Sequence, residues 1–141
     1  MTLLVWSDQL RVGVDIIDQQ HRELVRLANE LAEAMKTGQV REVLERQFAG
    51  LTAYTIAHFA TEDRLMRESG YAGADAHRRE HKLLRNDISE LMLKSQGGKL
   101  SFTPETLVFL REWLIKHILH SDRDLAQHLT TKAGKPAGVI A

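Results

Sequence analysis

The chain contains no cysteine in 141 residues. Disulfides, thiolate zinc sites, iron–sulfur clusters and cysteine nucleophiles are all excluded by that one absence. Proline is nearly missing at two residues and glycine is sparse at nine. Both punctuate loops and interrupt helices, so their scarcity favours a helical protein. Neither sign of charge is in excess: 19 basic residues balance 19 acidic ones. A nucleic-acid binder or a protein of anionic membrane surfaces would normally be basic. No apolar run is long enough to span a bilayer. The opening Met1-Thr2-Leu3-Leu4-Val5-Trp6 has neither the basic start nor the apolar length of a secretion signal. The expectation is a cytoplasmic, soluble single domain, with 43% hydrophobic residues to build its core.

What is present is histidine on apolar stripes. His58 and Glu62 stand four residues apart in a segment where Leu44, Phe48, Leu51, Thr55, His58, Glu62 and Leu65 recur at helical spacing. On an α-helix, residues at i and i+4 stack on one face, so both side chains point at one spot in the core. A carboxylate facing a core is costly unless something neutralises it. A metal ion would do so, with the imidazole one turn away as co-ligand.

In chain order, residues 1–17 show no clear helical period and read as an ordered arm packed across the domain. The alternation of Val12, Val14 and Ile16 admits a short strand. Asp18 is placed to cap a first helix running to about Lys36, whose stripe is His21, Leu24, Ala28, Leu31 and Met35. Thr37-Gly38 ends it. A second helix is expected over roughly 40–68. A third runs from about Ala74 to Ser95 with His77, His81, Leu84, Ile88 and Leu91 inward, followed by a turn at Gly97-Gly98. A fourth begins with Thr103 as cap and Pro104 at its first position, with Leu107, Leu110, Leu114, His117 and Ile118 inward. Residues 1–132 then form one all-α, up-down-up-down antiparallel four-helix bundle with an N-terminal arm over 1–17. Residues 133–141 are a loose tail.

In such a bundle the starts of the odd helices and the ends of the even ones share one end. His21, His58, Glu62, His77, His81 and His117 therefore converge on one level. Unpaired core imidazoles would each cost about 1–3 kcal/mol, which argues for a shared partner. Asp122 lies five residues after His117, a rotation of about 140° away on a regular helix. A local widening such as a π turn would bring it in as a second carboxylate to match Glu62. His120 then points away, and His128 reads as a surface residue.

His21, the His58/Glu62 pair, the His77/His81 pair and the His117/Asp122 pair together resemble the ligand pattern of the hemerythrin family in its single-domain bacterial form. The resemblance extends from the arm to the fourth helix. It implies two iron ions bridged by Glu62, Asp122 and an oxo or hydroxo group. It further implies that His77, His81 and His117 complete one iron, while His21 and His58 serve the other, which keeps an open position. Trp113 and Leu114 match positions lining the pocket at that opening. The implied function is reversible O2 binding for storage, transport or delivery, by a carrier and not an enzyme. Redox or NO sensing or scavenging, or a weak di-iron peroxidase activity, are the alternatives. Dioxygen is the implied partner, alongside an O2-consuming enzyme, and a monomer is expected.

Rival chemistries fit less well. Ferritin-like carboxylate sites use Glu-x-x-His pairs, and no histidine here has a glutamate three residues before it. The His-Glu-x-x-His of a metalloprotease is absent. A phosphotransfer bundle needs one exposed histidine rather than five buried ones.

Overall fold

In a computed structural model of the chain, residues 3–96 and 102–134 are described, the side chains of 91–96 and 132–134 excepted. Their regular elements are all helical, with no strand among them. The helices are α1 (Asp15–Lys36), α2 (Arg41–Ser69), α3 (Ala74–Gln96) and α4 (Pro104–Lys116). α4 passes through a π-helical turn at His117–Asp122 into α5 (Arg123–Gly134), so these three segments make the fourth rod of the bundle. The expected four-helix architecture is present, with α2 and α3 within a residue of the expected bounds. Ala133 and Gly134, expected in the tail, belong to α5. The Gly97-Gly98 turn and residues 135–141 lie outside the described residues.

The helix ends follow from local chemistry. Thr37 donates its N–H to the Glu33 carbonyl, and Gly38 takes φ +72° to turn the chain out. Gly70 does the same for α2 at φ +65°, and the Tyr71 N–H closes the end on the Met66 carbonyl. A β-carbon resists that left-handed conformation, so glycine is favoured at both stops. Thr103 precedes Pro104 at the start of α4, but no side-chain bond caps the helix there. Its hydroxyl faces that of Thr106 at 3.4 Å instead.

The arm is ordered, as expected, though not as a strand. The Leu3 and Leu4 N–H groups both donate to Asn29 Oδ1, and Asn29 Nδ2 donates back to the Leu4 carbonyl. A short 3-10 turn follows at Asp8–Leu10, and Leu10 is buried. Asp18 is not the cap of α1, which begins three residues earlier at Asp15. Its buried carboxylate accepts the N–H groups of Val12 at 2.7 Å and Gly13 at 3.1 Å. The chain before α1 folds back on the helix, so the acid satisfies amides of the arm rather than those of the first turn.

The core has two apolar layers. Leu24, Leu31, Phe48, Leu51, Leu84, Ile88, Leu110 and Leu114 belong to one, and Ile17, Met66, Ala74 and Leu125 to the other. On each of the four rods the histidines and acids fall between them in sequence. His21 sits between Ile17 and Leu24, and His58 and Glu62 between Leu51 and Met66. His77 and His81 sit between Ala74 and Leu84, and His117 and Asp122 between Leu114 and Leu125. A polar layer is thereby enclosed by hydrocarbon above and below, which is the arrangement that isolates charges from water.

Candidate metal centre

All seven residues singled out in the sequence, six by helical spacing and Asp122 through an expected π turn, are buried: His21, His58, Glu62 and Asp122 at 0%, and His77, His81 and His117 at 1–6% exposure. His120 is exposed, as expected of a residue turned away from His117. His128 is half-buried rather than on the surface. It lies 3.1 Å from the Ser69 carbonyl and against the Tyr71 ring, tying α5 to the end of α2.

The π turn is what brings Asp122 inward. It spans His117–Asp122 and holds both residues inside, where a regular helix would send one of them to the surface. Asp122 Oδ2 then stands 2.5 Å from His21 Nε2, 2.8 Å from His117 Nε2 and 3.3 Å from His58 Nε2. Its Oδ1 faces His77 Nε2 at 3.1 Å. Glu62 divides likewise: Oε1 lies 3.0 Å from His81, 3.1 Å from His77 and 3.5 Å from His117, while Oε2 faces His58 at 3.1 Å. Each carboxylate turns one oxygen to one set of imidazoles and the other oxygen towards a second set.

The donor atoms resolve into two groups. Glu62, His77, His81, His117 and Asp122 form one, and His21, His58, Glu62 and Asp122 the other, with the atoms of each group within 4.8 Å of one another. Two ligands on opposite sides of an ion with bonds of about 2.1 Å stand about 4.2 Å apart, so each group is the size of a coordination sphere. Several of these atoms are buried without a hydrogen-bond partner: His21 Nδ1, both ring nitrogens of His117, Glu62 Oε2 and Asp122 Oδ1. His117 Nε2 is close to Asp122, and Glu62 Oε2 is close to His58, yet neither contact has hydrogen-bond geometry. Leaving such atoms unmatched costs about 1–3 kcal/mol each, and cations in the layer would satisfy His117 Nε2, Glu62 Oε2 and Asp122 Oδ1 together. Imidazole with carboxylate suits iron and similar transition metals. The donor set therefore fits a pair of metal ions.

Electrostatics agree. Burial works against the charged form of every group here. The Glu62 and Asp122 carboxylates outweigh burial at His58 and at His77, lifting both imidazoles to about 9, and lift His117 well above its ordinary value. Burial wins at His21 and His81, which stay below the ordinary value. Burial and mutual repulsion would raise Glu62 and Asp122, but the imidazoliums hold both well below the carboxylate range. The two carboxylates that favour protons on His58, His77 and His117 would favour metal cations in the same layer.

A second layer, not legible in the sequence, orients these donors. Thr61 donates its hydroxyl hydrogen to the Ala57 carbonyl and accepts one from Gln20 Nε2 at 3.0 Å. That fixes the Gln20 amide with Oε1 towards His58 Nδ1, 2.7 Å away. His58 must then carry hydrogen on Nδ1, leaving Nε2 to face the two carboxylates. Ser121 donates to Glu80, whose other oxygen lies 3.6 Å from His117 Nδ1, so α3 braces the π turn. Phe59 lies flat on His81 at 3.7 Å, and Trp113 on His117 at 4.8 Å.

Trp113 and Leu114 also line a small cavity of about 10 Å³ beside this layer, with Phe48, Leu51, Leu110 and Ile88. That is room for about one water-sized molecule. Its two hydroxyl side chains, Thr52 and Thr55, donate to the Phe48 and Leu51 carbonyls of their own helix at 2.9 and 2.8 Å. The space offers little to water and suits a small neutral molecule.

The chain is similar to known proteins in both sequence and fold. The family model described as the Hemerythrin HHE cation binding domain matches residues 12–129. A bacteriohemerythrin of Stenotrophomonas maltophilia is 37% identical over 132 residues, covering 92% of this chain and 83% of that protein. One from Methylococcus capsulatus is 31% identical over 124 residues, covering 87% and 94%. The crystal structure of a wild-type hemerythrin superposes with a TM-score of 0.86 at 29% identity, covering 91% of this chain and 98% of that one. With a cation-binding domain matched over most of its length and relatives above 30% identity, the chain belongs to the hemerythrin family.

Proposed function

We propose that this protein binds dioxygen reversibly at two iron ions held by the buried donor set, as a carrier for storage or delivery. The observation that carries the reading is the unequal division of donors around two shared carboxylates. Glu62 and Asp122 serve both groups, with three imidazoles added in one and two in the other. His77, His81 and His117 would complete one iron. His21 and His58 would hold the second one ligand short, which is where a small molecule can enter. When bound, the iron pair supplies the electrons that let dioxygen attach reversibly.

The rest is the work of the chain. Gln20 holds the His58 tautomer, and Glu80 with Ser121 holds the turn that aims His117 and Asp122. Trp113 and Leu114 wall a dry approach, and keeping water out slows the irreversible loss of electrons. Reduced protein exposed to air should develop a visible absorption band that disappears under vacuum and returns on re-aeration. Direct, irreversible conversion to the oxidised spectrum would count against a carrier.

Loading should also be coupled to protons. His58 and His77, raised to about 9, carry protons at neutral pH that iron must displace. Iron(II) affinity should therefore rise as the pH climbs towards 9 and level off above it. Adding iron(II) to metal-free protein in weak buffer with an indicator dye should show proton release near pH 7. Uptake without release would show that the imidazoles are neutral beforehand.

A further inference from the structure

Outside the donor layer, α3 carries Arg78, Lys82 and Arg85 three or four residues apart, on one face. Across from them, α2 presents Ile56, Phe59, Ala60 and Asp63. Ridges on neighbouring helices normally interdigitate, but Ala60 on one side and Ser89 on the other are too small to fill the seam. A groove of about 650 Å³ lies between the two rows. That is within the usual range of small-molecule sites, roughly 300–1,000 Å³.

The lining is two-sided in character. Ile56, 39% exposed, and the exposed Ala60 present apolar surface to water, with the buried Phe59 ring behind them. The wall has three cations against the single carboxylate of Asp63, in a chain whose formal net charge is zero. Arg78 is committed, since it donates to Asp63 at 2.5 Å and lies 3.4 Å from Asp75. Lys82 and Arg85 are exposed and have no carboxylate partner among the described residues. They stand one turn apart, so one anionic head can reach both. The groove backs onto the donor layer without joining it, because the His81 ring lines it while His81 Nε2 faces Glu62 at 3.0 Å.

We propose that this α2–α3 groove binds a small amphipathic anion. Its flat or aliphatic body would lie on Ile56, Phe59 and Ala60. Its carboxylate, sulfonate or phosphate would sit between Lys82 and Arg85, where charge-assisted hydrogen bonds are strongest. The inference does not depend on what the donor layer holds, so it can be tested on iron-loaded and metal-free protein alike.

The probe is 8-anilinonaphthalene-1-sulfonate, titrated against the full chain by fluorescence. One saturable site is expected in both forms. The K82E/R85E double variant should weaken it at least about tenfold, and so should Ile56→Glu. The milder K82Q/R85Q pair should give an intermediate loss, with the helical circular dichroism of each variant checked against the parent. Arg64→Glu, an exposed residue paired with Glu68 at 3.6 Å and outside the groove, should change nothing. N-phenyl-1-naphthylamine, the same ring system without the sulfonate, should bind at least about tenfold more weakly. The proposal is overturned by any one of three results: no saturable site, binding untouched by both charge variants, or equal binding of the uncharged ring.

Discussion

Replacing Glu62 with alanine should empty both metal positions rather than one. Its two oxygens face different sets of imidazoles: Oε1 lies against His77, His81 and His117, and Oε2 against His58. No other donor except Asp122 belongs to both groups. Removing Glu62 takes one ligand and one negative charge from each ion, and leaves Asp122 as the sole buried carboxylate among five imidazoles. Changes to residues that merely orient metal ligands cost about 10–100-fold in affinity, so loss of a shared ligand should exceed a hundredfold. Iron per chain, measured after reconstitution and desalting, should fall from two towards none. Circular dichroism should show the helices retained in the same sample, since the apolar layers above and below are untouched. Glu62→Gln separates charge from shape: it keeps the oxygen but not the anion, and should still bind both ions poorly. A Glu62→Ala protein that kept one full equivalent of iron would mean that the carboxylate serves a single ion, and the paired-centre reading would fail.

The parts of this centre that repeat every three or four residues were legible in the chain, because helix geometry converts such spacing directly into a shared face. His58 with Glu62 and His77 with His81 are of this kind, and both pairs stand where the spacing puts them. Asp122 was harder, since its five-residue step from His117 needs a π turn, and the turn is present. Asp18 was misread. A carboxylate near a helix start looks like a cap, but here the arm folds back and brings the Val12 and Gly13 amides to it. Where an irregular segment turns is set by contacts distant in sequence, and local spacing carries no record of them. The same holds for the supporting shell. Gln20 reaches His58 from 38 residues away and Ser121 reaches Glu80 from 41. Glutamine and serine on helices are ordinary surface residues by composition, and only their place beside a ligand marks them. Phe59 was hidden for another reason: a phenylalanine next to His58 reads as core, and its stacking on His81 depends on how α2 and α3 pack.

His58→Ala should divide the two positions. The group that contains His58 has only four donors, and the variant leaves it His21 and the two shared carboxylates. The five-donor group loses nothing. One iron per chain should remain tightly held, and the second should bind at least about a hundredfold more weakly. The reversible band on aeration should vanish, because the position left one ligand short is the one lost. Gln20→Ala is the graded companion. It removes only the acceptor that fixes His58 Nδ1, 2.7 Å away, so it should weaken the second iron by about 10–100-fold and keep the band at saturating iron. Together the two variants assign the effect to the imidazole and its orientation rather than to a general loosening of α2, which circular dichroism would detect. Two tightly bound irons and an unchanged band in His58→Ala would place the reactive position elsewhere in the donor layer, on the side of His77, His81 and His117.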